Sequence, residues 1–214
     1  KLTEEQKAEF TNDETLTQAE AYLDGLTNIT PRVTNVCQIG DQKYPTLQAA
    51  VEAVQDGETA TITMLENVEL TKSVTLPNGV TLDLHGKTIS GAMADTITIA
   101  GEATVTITDN STNGGGKISN SRKLTTYSGA VKVEDGAKLT LDRGVTLEAT
   151  GNNPASLYIK NKTTAPTVEI KNAKFISKSY SIRLQGSSCG ATINIHDGEF
   201  QQNDGRIFVN NNAA

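Results

Sequence analysis

The sequence predicts an all-β protein, a right-handed parallel β-helix of about six three-strand coils. The first observation is a short segment that recurs along the chain and alternates apolar with polar residues, as a strand with one buried face must. Its copies lie at residues 61–64, 81–84, 104–107, 138–141, 167–170 and 192–195. The second observation is that the copies from residue 81 onwards are followed by further apolar segments in a fixed order. Gly, Asn or Asp stands at the corners, and no helical pattern intervenes.

Two further strands are predicted in each repeat. The second strand is marked by an apolar residue soon after each copy: Ile89, Ile118, Val145 or Leu147, Phe175 and Phe200. The third strand is predicted at residues 97–99, 131–133, 157–159, 182–184 and 207–209. One repeat of three short strands cannot bury its inner face, whereas stacked three-sided coils share one continuous narrow core.

The alternative architecture is an antiparallel sandwich, in which strands follow one another through tight hairpins. The dipeptides Asn78-Gly79, Asp135-Gly136 and Asp197-Gly198 fit such hairpins. A sandwich, however, gives no reason for three kinds of strand to recur in the same order. The repeat therefore favours the β-helix.

Residues 1–35 are predicted to form a helical N-terminal extension. Residues 3–6 match a capping box, and Asp13 is suited to cap a second helical stretch. Ala19, Tyr22, Leu23 and Leu26 follow a helical apolar stripe. The extension is interpreted either as an integral cap or as a tether or the tail of an upstream domain.

Residues 36–214 are predicted to form the β-helix, beginning with a strand at 36–39 and a turn at Gly40-Asp41. A short helix is predicted at 46–55, capped by Thr46. Its apolar residues share one face: Leu47, Ala50, Val51 and Val54. An amphipathic helix directly before a stack of strands is suited to cover the open end of that stack.

Composition excludes several classes of protein. The chain has 25 acidic against 19 basic residues, a formal net charge of −6, and no basic cluster, which argues against nucleic acid as a partner. No run of 18 apolar residues is present, so no membrane insertion is expected. Two Cys and two His supply neither a zinc site nor a disulfide scaffold. Cys37 and Cys189 are predicted to be free thiols, and no cofactor or metal is expected.

A candidate ligand-binding stripe lies on the outward side of the third strand. Stacked coils place equivalent residues in columns about 4.8 Å apart. The predicted column contains Thr98, Lys132, Tyr158, Arg183 and Phe208. Aromatic rings stack on pyranose faces, and Lys or Arg pairs with uronate or sulfate groups, so Lys132, Tyr158, Arg183 and Phe208 are candidates to bind a sugar chain. The alternative is that they are strand formers and solvated charges.

A second column supplies the candidate catalytic residues Asp142, Lys171 and His196, which follow the first strand on successive coils. They are candidates for an acid–base set, because Lys near Asp can be tuned for proton transfer. Asp109 and Asp142 also lie on adjacent coils, within the separation that a glycosidase pair needs. The alternative is a polar corner with surface pairs such as Asp109–Arg143. The Thr-x-Thr segments do not continue in one predicted column, which argues against an ice-binding face.

Residues 39–57, IGDQKYPTLQAAVEAVQDG, and the later run LDLHGKTISG, residues 82–91, carry a resemblance. This region resembles the opening of pectate-lyase-like β-helix modules in large surface proteins of gut bacteria. The resemblance implies a secreted or cell-surface bacterial protein with a capping helix at 46–55. It does not carry over catalysis, because the Gly-His-Gly and paired Asp residues of polygalacturonase relatives are missing. Asp83 and Glu169, on the first strand, are also too far apart to share the calcium ion of pectate lyases.

The sequence therefore predicts a non-catalytic extracellular module for adhesion, or for binding or display of a polysaccharide or host glycan. The first alternative is a polysaccharide lyase or glycoside hydrolase, which predicts a bound divalent cation or a cleft with three converging ionisable groups. The second alternative is an inert structural spacer. The predicted last strands lack an amphipathic cover, which favours end-to-end self-association or neighbouring domains of a longer chain.

Overall fold

The computed structural model describes residues 3, 7–8, 19–20, 22–23, 34–55, 57–123, 127–152, 154–161, 163–186, 190–202 and 206–212, with 208–212 as backbone only. The chain divides into two compact units, Lys1–Thr34 and Asn35–Ala214. Within the described part of the chain, no helix has both the length and the apolar character that crossing a membrane requires.

The first unit is helical at Lys7, Ala19, Glu20, Tyr22 and Leu23. The ammonium group of Lys7 lies 3.3 Å from a carboxylate oxygen of Glu20. Tyr22, predicted on an apolar stripe, is exposed. Most of the predicted capping box and the predicted Asp13 cap lie outside the described residues.

The second unit opens with an antiparallel hairpin of β1 (Cys37–Ile39) and β2 (Gln42–Tyr44). The predicted strand at 36–39 is confirmed, whereas β2 was not predicted. The helix α1 (Leu47–Ala53) follows, and Thr46 caps it by accepting a hydrogen bond of 3.0 Å from the Ala49 N–H. Leu47, Ala50 and Val51 are buried, so the predicted capping helix is confirmed and its apolar face packs on the core.

Six coils of three strands follow. The first two contain β3 (Ala60–Met64), β4 (Val68–Leu70), β5 (Val74–Thr75), β6 (Val80–Asp83), β7 (Thr88–Gly91) and β8 (Asp95–Ile99). The next two contain β9 (Thr104–Thr108), β10 (Lys117–Asn120), β11 (Ser128–Glu134), β12 (Lys138–Leu141), β13 (Val145–Ala149) and β14 (Pro154–Asn161). The last two contain β15 (Thr167–Ile170), β16 (Ala173–Ser177), β17 (Tyr180–Gly186), β18 (Thr192–Ile195), β19 (Gly198–Gln202) and β20 (Arg206–Asn212).

Equivalent strands of successive coils form three sheets. Sheet A runs β18-β15-β12-β9-β6-β3-β1-β2, sheet B runs β19-β16-β13-β10-β7-β4, and sheet C runs β20-β17-β14-β11-β8-β5. From β3 onwards, every strand pair in the described residues is parallel, and β1 pairs antiparallel with β3 at the capped end. The predicted parallel β-helix is therefore confirmed, and the antiparallel sandwich is wrong.

Each of the three sheets contributes inward-facing columns of apolar side chains to one core. In sheet B the column runs from Val68 through Ile89, Ile118, Leu147 and Phe175 to Phe200, and its first and last members are only partly buried. Each buried aliphatic side chain contributes roughly 1.5–3 kcal/mol through removal of apolar surface from water. Since the spacing between coils is fixed by backbone hydrogen bonds, the columns form wherever the repeats are in register.

Two buried carboxylates hold the corner after sheet A. Asp83 accepts hydrogen bonds from the backbone N–H groups of His85 and Asn110, at 3.0 and 2.9 Å. Asp109 accepts from the N–H groups of Gly116 and Gly86, at 2.7 and 2.8 Å. A side chain at position 116 would strike Asp109, because its Cβ would lie 2.7 Å from the carboxyl carbon. The predicted Asp109–Arg143 surface pair is therefore wrong: Asp109 is 3% exposed and its carboxylate faces the corner backbone.

In sheet A one register differs from the sequence alignment. Thr81 pairs with Thr106 and Asp83 pairs with Thr108, two residues later than the repeat pattern indicates. Residues 81–84 and 104–107 have the same alternation, and a shift of two residues preserves which face is buried. The pattern therefore could not choose between these two registers.

Candidate functional site

The predicted stripe is formed on the outer side of sheet C. Lys132 pairs with Thr98 and with Tyr158, and Tyr158 pairs with Arg183, so these residues lie on successive coils. The prediction that Phe208 belongs to this stripe is wrong. The backbone of Phe208 pairs with Ile182, and Val209 is the residue that pairs with Arg183. Arg183 follows Tyr158 by 25 residues, but Val209 follows Arg183 by 26. One additional residue in the last coil moves Phe208 out of the column.

The stripe is recessed rather than open. The Lys132 side chain is 16% exposed, Tyr158 is 5% exposed and Arg183 is 1% exposed. The alternative interpretation of these residues as solvated strand formers is therefore wrong for Lys132, Tyr158 and Arg183. The three side chains instead contact other residues on the same face.

Lys132 binds two carboxylates. Its ammonium group lies 3.4 Å from Asp95 Oδ2 and 2.9 Å from Glu134 Oε1. Burial opposes the charge on Lys132, but the two carboxylates outweigh it and raise the pKa of the amine. Burial raises the pKa of Asp95, although Lys132 and the Gly129 N–H partly oppose that effect. The group is an ion-pair network in which one ammonium is shared by two carboxylates.

Tyr158 lies between this network and Arg183. Its hydroxyl donates a hydrogen bond of 2.7 Å to Gln185 Oε1. Burial, together with the Asp95 carboxylate, raises the pKa of Tyr158 to about 12. The phenol therefore stays protonated at neutral pH.

Arg183 is stacked against two tyrosines that the sequence columns did not include. Its guanidinium carbon lies 3.2 Å from the ring centroid of Tyr127 and 4.7 Å from that of Tyr180. Among the described residues, the buried Nε and Nη1 atoms of Arg183 have no hydrogen-bond partner. Tyr127 is 40% exposed, so its ring lies between the guanidinium and solvent. We define Lys132, Tyr158, Arg183, Tyr127 and Tyr180 as the sheet C cluster.

Tyr127 and Tyr180 were missed because reasoning by columns considers only residues at equivalent strand positions. Tyr127 precedes β11, and Tyr180 is the first residue of β17. A usable signal existed: each is an aromatic residue two to four positions before a predicted third strand that carries a cation at its centre. That signal indicates cation–π pairing at the sheet B to sheet C corner.

Three ionisable groups, Asp95, Lys132 and Glu134, do converge, as the enzyme alternative requires. A general base, however, needs a pKa near the working pH. The pKa values of Lys132 and Tyr158 are raised, away from neutrality. The cluster can therefore hold charge and donate hydrogen bonds, but neither of these two groups is tuned to accept a proton.

The candidate catalytic residues Asp142, Lys171 and His196 lie on successive coils, but their side chains do not come together in one group. Lys171 and His196 follow β15 and β18, where their N–H groups donate to Leu141 and Ile170. Asp142 follows β12, and its carboxylate accepts from the Arg143 N–H at 2.8 Å. The His196 ring lies 3.0 Å from Glu169 Oε2 rather than against Lys171 or Asp142. Among the described residues these three side chains form no hydrogen bond or ion pair with one another, and all three are solvent-accessible, which is typical of a polar corner.

Sheet A carries a threonine column that the sequence alignment missed. Thr61, Thr81, Thr106 and Thr140 occupy one register position on four successive coils. The prediction that the Thr-x-Thr segments do not continue in one column is confirmed, because residues 96–98 lie in sheet C and Thr63 pairs with Asp83 on the next coil. Glu169 and Asn194 continue the same column. Asp83 and Lys138 lie in the adjacent columns, so the face is not uniformly threonine.

No group of three His, Cys, Asp or Glu side chains suited to a metal ion occurs in the part of the chain that the structure describes. Cys37 is a buried free thiol, and burial raises its pKa to about 11. Cys189 lies outside the described residues.

Comparison of the chain with protein-family models, curated proteins and solved structures finds no match. Function must therefore be inferred from the sheet C cluster and from the resemblance of residues 39–91.

Proposed function

We propose that this protein is a non-catalytic extracellular surface module that binds a polysaccharide or host glycan at the sheet C cluster. The observation that carries the proposal is the exposed Tyr127 ring, stacked at 3.2 Å on the buried guanidinium of Arg183. Amphipathic aromatic rings are typical contact groups for sugar faces. The proposed sugar contact is therefore Tyr127, with Arg183 beneath it as a positioning residue.

The stack favours binding because it limits the motion of the ring before a ligand arrives. A side chain that is already ordered loses less conformational entropy on binding. The cation contacts one face of the ring, so the exposed part of Tyr127 faces away from Arg183. On the same face, the ion pairs of Lys132 with Asp95 and Glu134 hold the neighbouring coils together.

The cellular setting rests on the sequence. The resemblance of residues 39–91 to pectate-lyase-like modules of bacterial surface proteins supports a secreted or cell-surface location. A stiff stack of coils is also suited to hold a binding face away from a surface. The same stiffness suits an inert spacer, which would bind no glycan.

A polysaccharide lyase or hydrolase is the second candidate, favoured by the convergence of Asp95, Lys132 and Glu134. The raised pKa values of Lys132 and Tyr158 argue against either group as a general base, whereas burial raises the pKa of Asp95, the direction that a carboxyl acid–base group takes. Release of unsaturated uronate from pectin or a similar polymer by the purified chain would overturn the non-catalytic proposal.

The test is a glycan array probed with the wild-type chain and with Tyr127→Ala. We expect wild type to retain a defined set of glycans and Tyr127→Ala to lose about tenfold or more in affinity, as for an aromatic anchor. Tyr22→Ala is the matched control, because Tyr22 is 69% exposed and belongs to the other unit. Retention of no glycan by wild type, or equal binding by Tyr127→Ala, would contradict the proposal.

A further inference from the structure

The chain contains two Asn-Gly dipeptides, Asn78-Gly79 and Asn113-Gly114. Such a dipeptide is chemically labile, because the backbone nitrogen of the glycine can attack the side-chain carbonyl carbon of the asparagine. Glycine has no Cβ and therefore leaves that nitrogen unshielded. The attack needs an asparagine side chain and a following N–H group that are free to move, so the fold decides which dipeptide can react.

The fold holds both reacting groups of Asn78-Gly79 in place. Asn78 Oδ1 accepts a hydrogen bond of 2.9 Å from the N–H of Thr104 on the next coil, and the Gly79 N–H donates one of 2.9 Å to the Thr104 carbonyl. Gly79 is also crowded, because the carbonyl oxygen of Glu58 lies 2.6 Å from the position that a Cβ would take. Attack on Asn78 would therefore require both hydrogen bonds to break.

Asn113-Gly114 lies instead at the exposed tip of the loop between β9 and β10. Among the described residues, neither the Asn113 side chain nor the Gly114 N–H makes a hydrogen bond. Residues 112–115 are all exposed, and apart from its chain neighbours no atom lies within 4 Å of the position of a Cβ at Gly114. The tip is therefore free to bring the Gly114 nitrogen against the Asn113 side chain.

The two ends of this loop are fixed to the fold. The carboxylate of Asp109 accepts hydrogen bonds from the N–H groups of Ser111 and Gly116, at 3.2 and 2.7 Å. Asp109 is buried at the corner after sheet A. Movement of the tip consequently does not require either neighbouring strand to open, and the reaction can take place in the folded protein.

We propose that Asn113 is a site of spontaneous deamidation in the folded protein. The Gly114 N–H proton passes to water or hydroxide, and the nitrogen forms a bond to Cγ of Asn113. The bond from Cγ to Nδ2 breaks, and Nδ2 takes up a proton from water and leaves as ammonia. Water then opens the resulting succinimide at either carbonyl, which gives isoaspartate or aspartate at position 113.

The product carries a carboxylate where the sequence has a neutral amide, so the loop gains one negative charge. The loop joins sheet A to sheet B, whereas the proposed glycan contact Tyr127 precedes a strand of sheet C. The deamidation site is therefore independent of the proposed function, and either can fail while the other stands.

The experiment follows both asparagines in one sample of the wild-type chain. The chain is incubated in mildly alkaline buffer, once folded and once in urea sufficient to unfold it, and mass spectrometry of its peptides quantifies replacement of the amide by a carboxylate. In the folded chain we expect Asn113 to react at least about tenfold faster than Asn78, whose two hydrogen bonds must first break. In urea the two rates should become similar.

Gly114→Ala should slow the reaction at Asn113, because a Cβ shields the attacking nitrogen. Gly101→Ala is the matched control, since Gly101 and Gly114 have similar φ values of 61° and 67° and both have open space around the position of a Cβ. The two substitutions therefore impose similar backbone strain, but only Gly114 follows an asparagine. Circular dichroism checks that both variants are folded.

Equal rates at Asn78 and Asn113 in the folded chain would overturn the assignment. An Asn113 side chain that reacts only in urea would overturn it as well, because the loop tip would then be held in the folded protein. Slowing of the Asn113 reaction by Gly101→Ala as large as that by Gly114→Ala would show that the Gly114 nitrogen is not the attacking group.

Discussion

Phe175 on β16 and Phe200 on β19 stack with ring centroids 4.9 Å apart and ring planes 6° from parallel. The separation is that of neighbouring parallel strands, so the stack is a direct result of the coil spacing. Phe175 is fully buried, whereas Phe200 lies in the last coil and is only partly covered. The pair therefore contains one core side chain and one side chain at the edge of the core.

We expect Phe175→Ala to lower the free energy of unfolding by about 3–5 kcal/mol, the usual cost of a cavity left by a buried ring. Phe200→Ala should cost less, because part of that ring already contacts solvent. Urea unfolding followed by circular dichroism measures both values. An equal or larger loss for Phe200→Ala would contradict the burial of the two rings.

The cap of α1 gives a second prediction. Thr46→Ala removes the acceptor of the Ala49 N–H and should destabilise the protein by about 1 kcal/mol, the typical value of an N-cap. Thr46→Ser keeps the acceptor and should restore most of that loss. Thr59→Ala, at an exposed position, is the control and should leave the urea midpoint unchanged. Equal stability of wild type and Thr46→Ala would argue against the cap.

The hydrogen bonds of Asp109 predict that the stability of the fold depends on pH. Burial opposes its ionisation, but N–H donors from Gly116, Ser111 and Gly86 outweigh that effect and lower the pKa of Asp109. A folded-state pKa below the unfolded value stabilises the fold above the ordinary Asp pKa of about 4, and the contribution is lost as pH falls through the folded pKa.

Asp109→Asn should therefore cost about 1–3 kcal/mol at pH 7, because an amide cannot accept all of these hydrogen bonds. The difference from wild type should shrink as the pH falls below about 4. Stability measured from pH 2 to pH 7 tests this, with Asp41→Asn at an exposed turn as the control. A difference that stays constant across this range would show that the carboxylate charge is not responsible.

Neutral replacement of the two cations of the sheet C cluster should have different effects on the stability of the fold. Lys132→Met leaves the Asp95 carboxylate, whose side chain is 10% exposed, without its cation and should cost about 1–3 kcal/mol. It should also raise the pKa of Asp95 further, since burial is then less opposed.

Arg183→Met, in contrast, removes two unsatisfied donors and fills similar volume. We expect its stability to stay within about 1 kcal/mol of wild type or to rise, as for other buried charges replaced by apolar side chains. Thermal and urea unfolding of both variants provide the comparison. A loss for Arg183→Met as large as that for Lys132→Met would indicate that the ring contacts of Arg183 outweigh its two unsatisfied donors.

The repeat was predictable because it obeys a local rule. Alternation of apolar and polar residues over 167–170 and 192–195 specifies which face is buried, and the observed register of β15 with β18 follows that alignment. The helix at 47–53 was also predictable, since Thr46 and the apolar stripe lie within one short segment.

The pairing register of neighbouring strands was predictable only where the number of residues per coil was unambiguous. Between β6 and β9 two alignments bury the same face, and the chain takes the one that pairs Thr81 with Thr106. In the last coil a single residue of extra length sets Val209, not Phe208, beside Arg183. The number of residues between two strands decides the register in such cases. The alternation of apolar and polar residues gives no information on that number.

The sequence by itself determined that this chain winds into parallel coils with a helix at the leading end, because periodicity and capping are properties of neighbouring residues. Only the tertiary structure decided that Lys132, Tyr158 and Arg183 are recessed, and that Tyr127 and Tyr180 join them. Burial of an outward strand face depends on which distant segments fold across it, and that choice is made by packing in three dimensions.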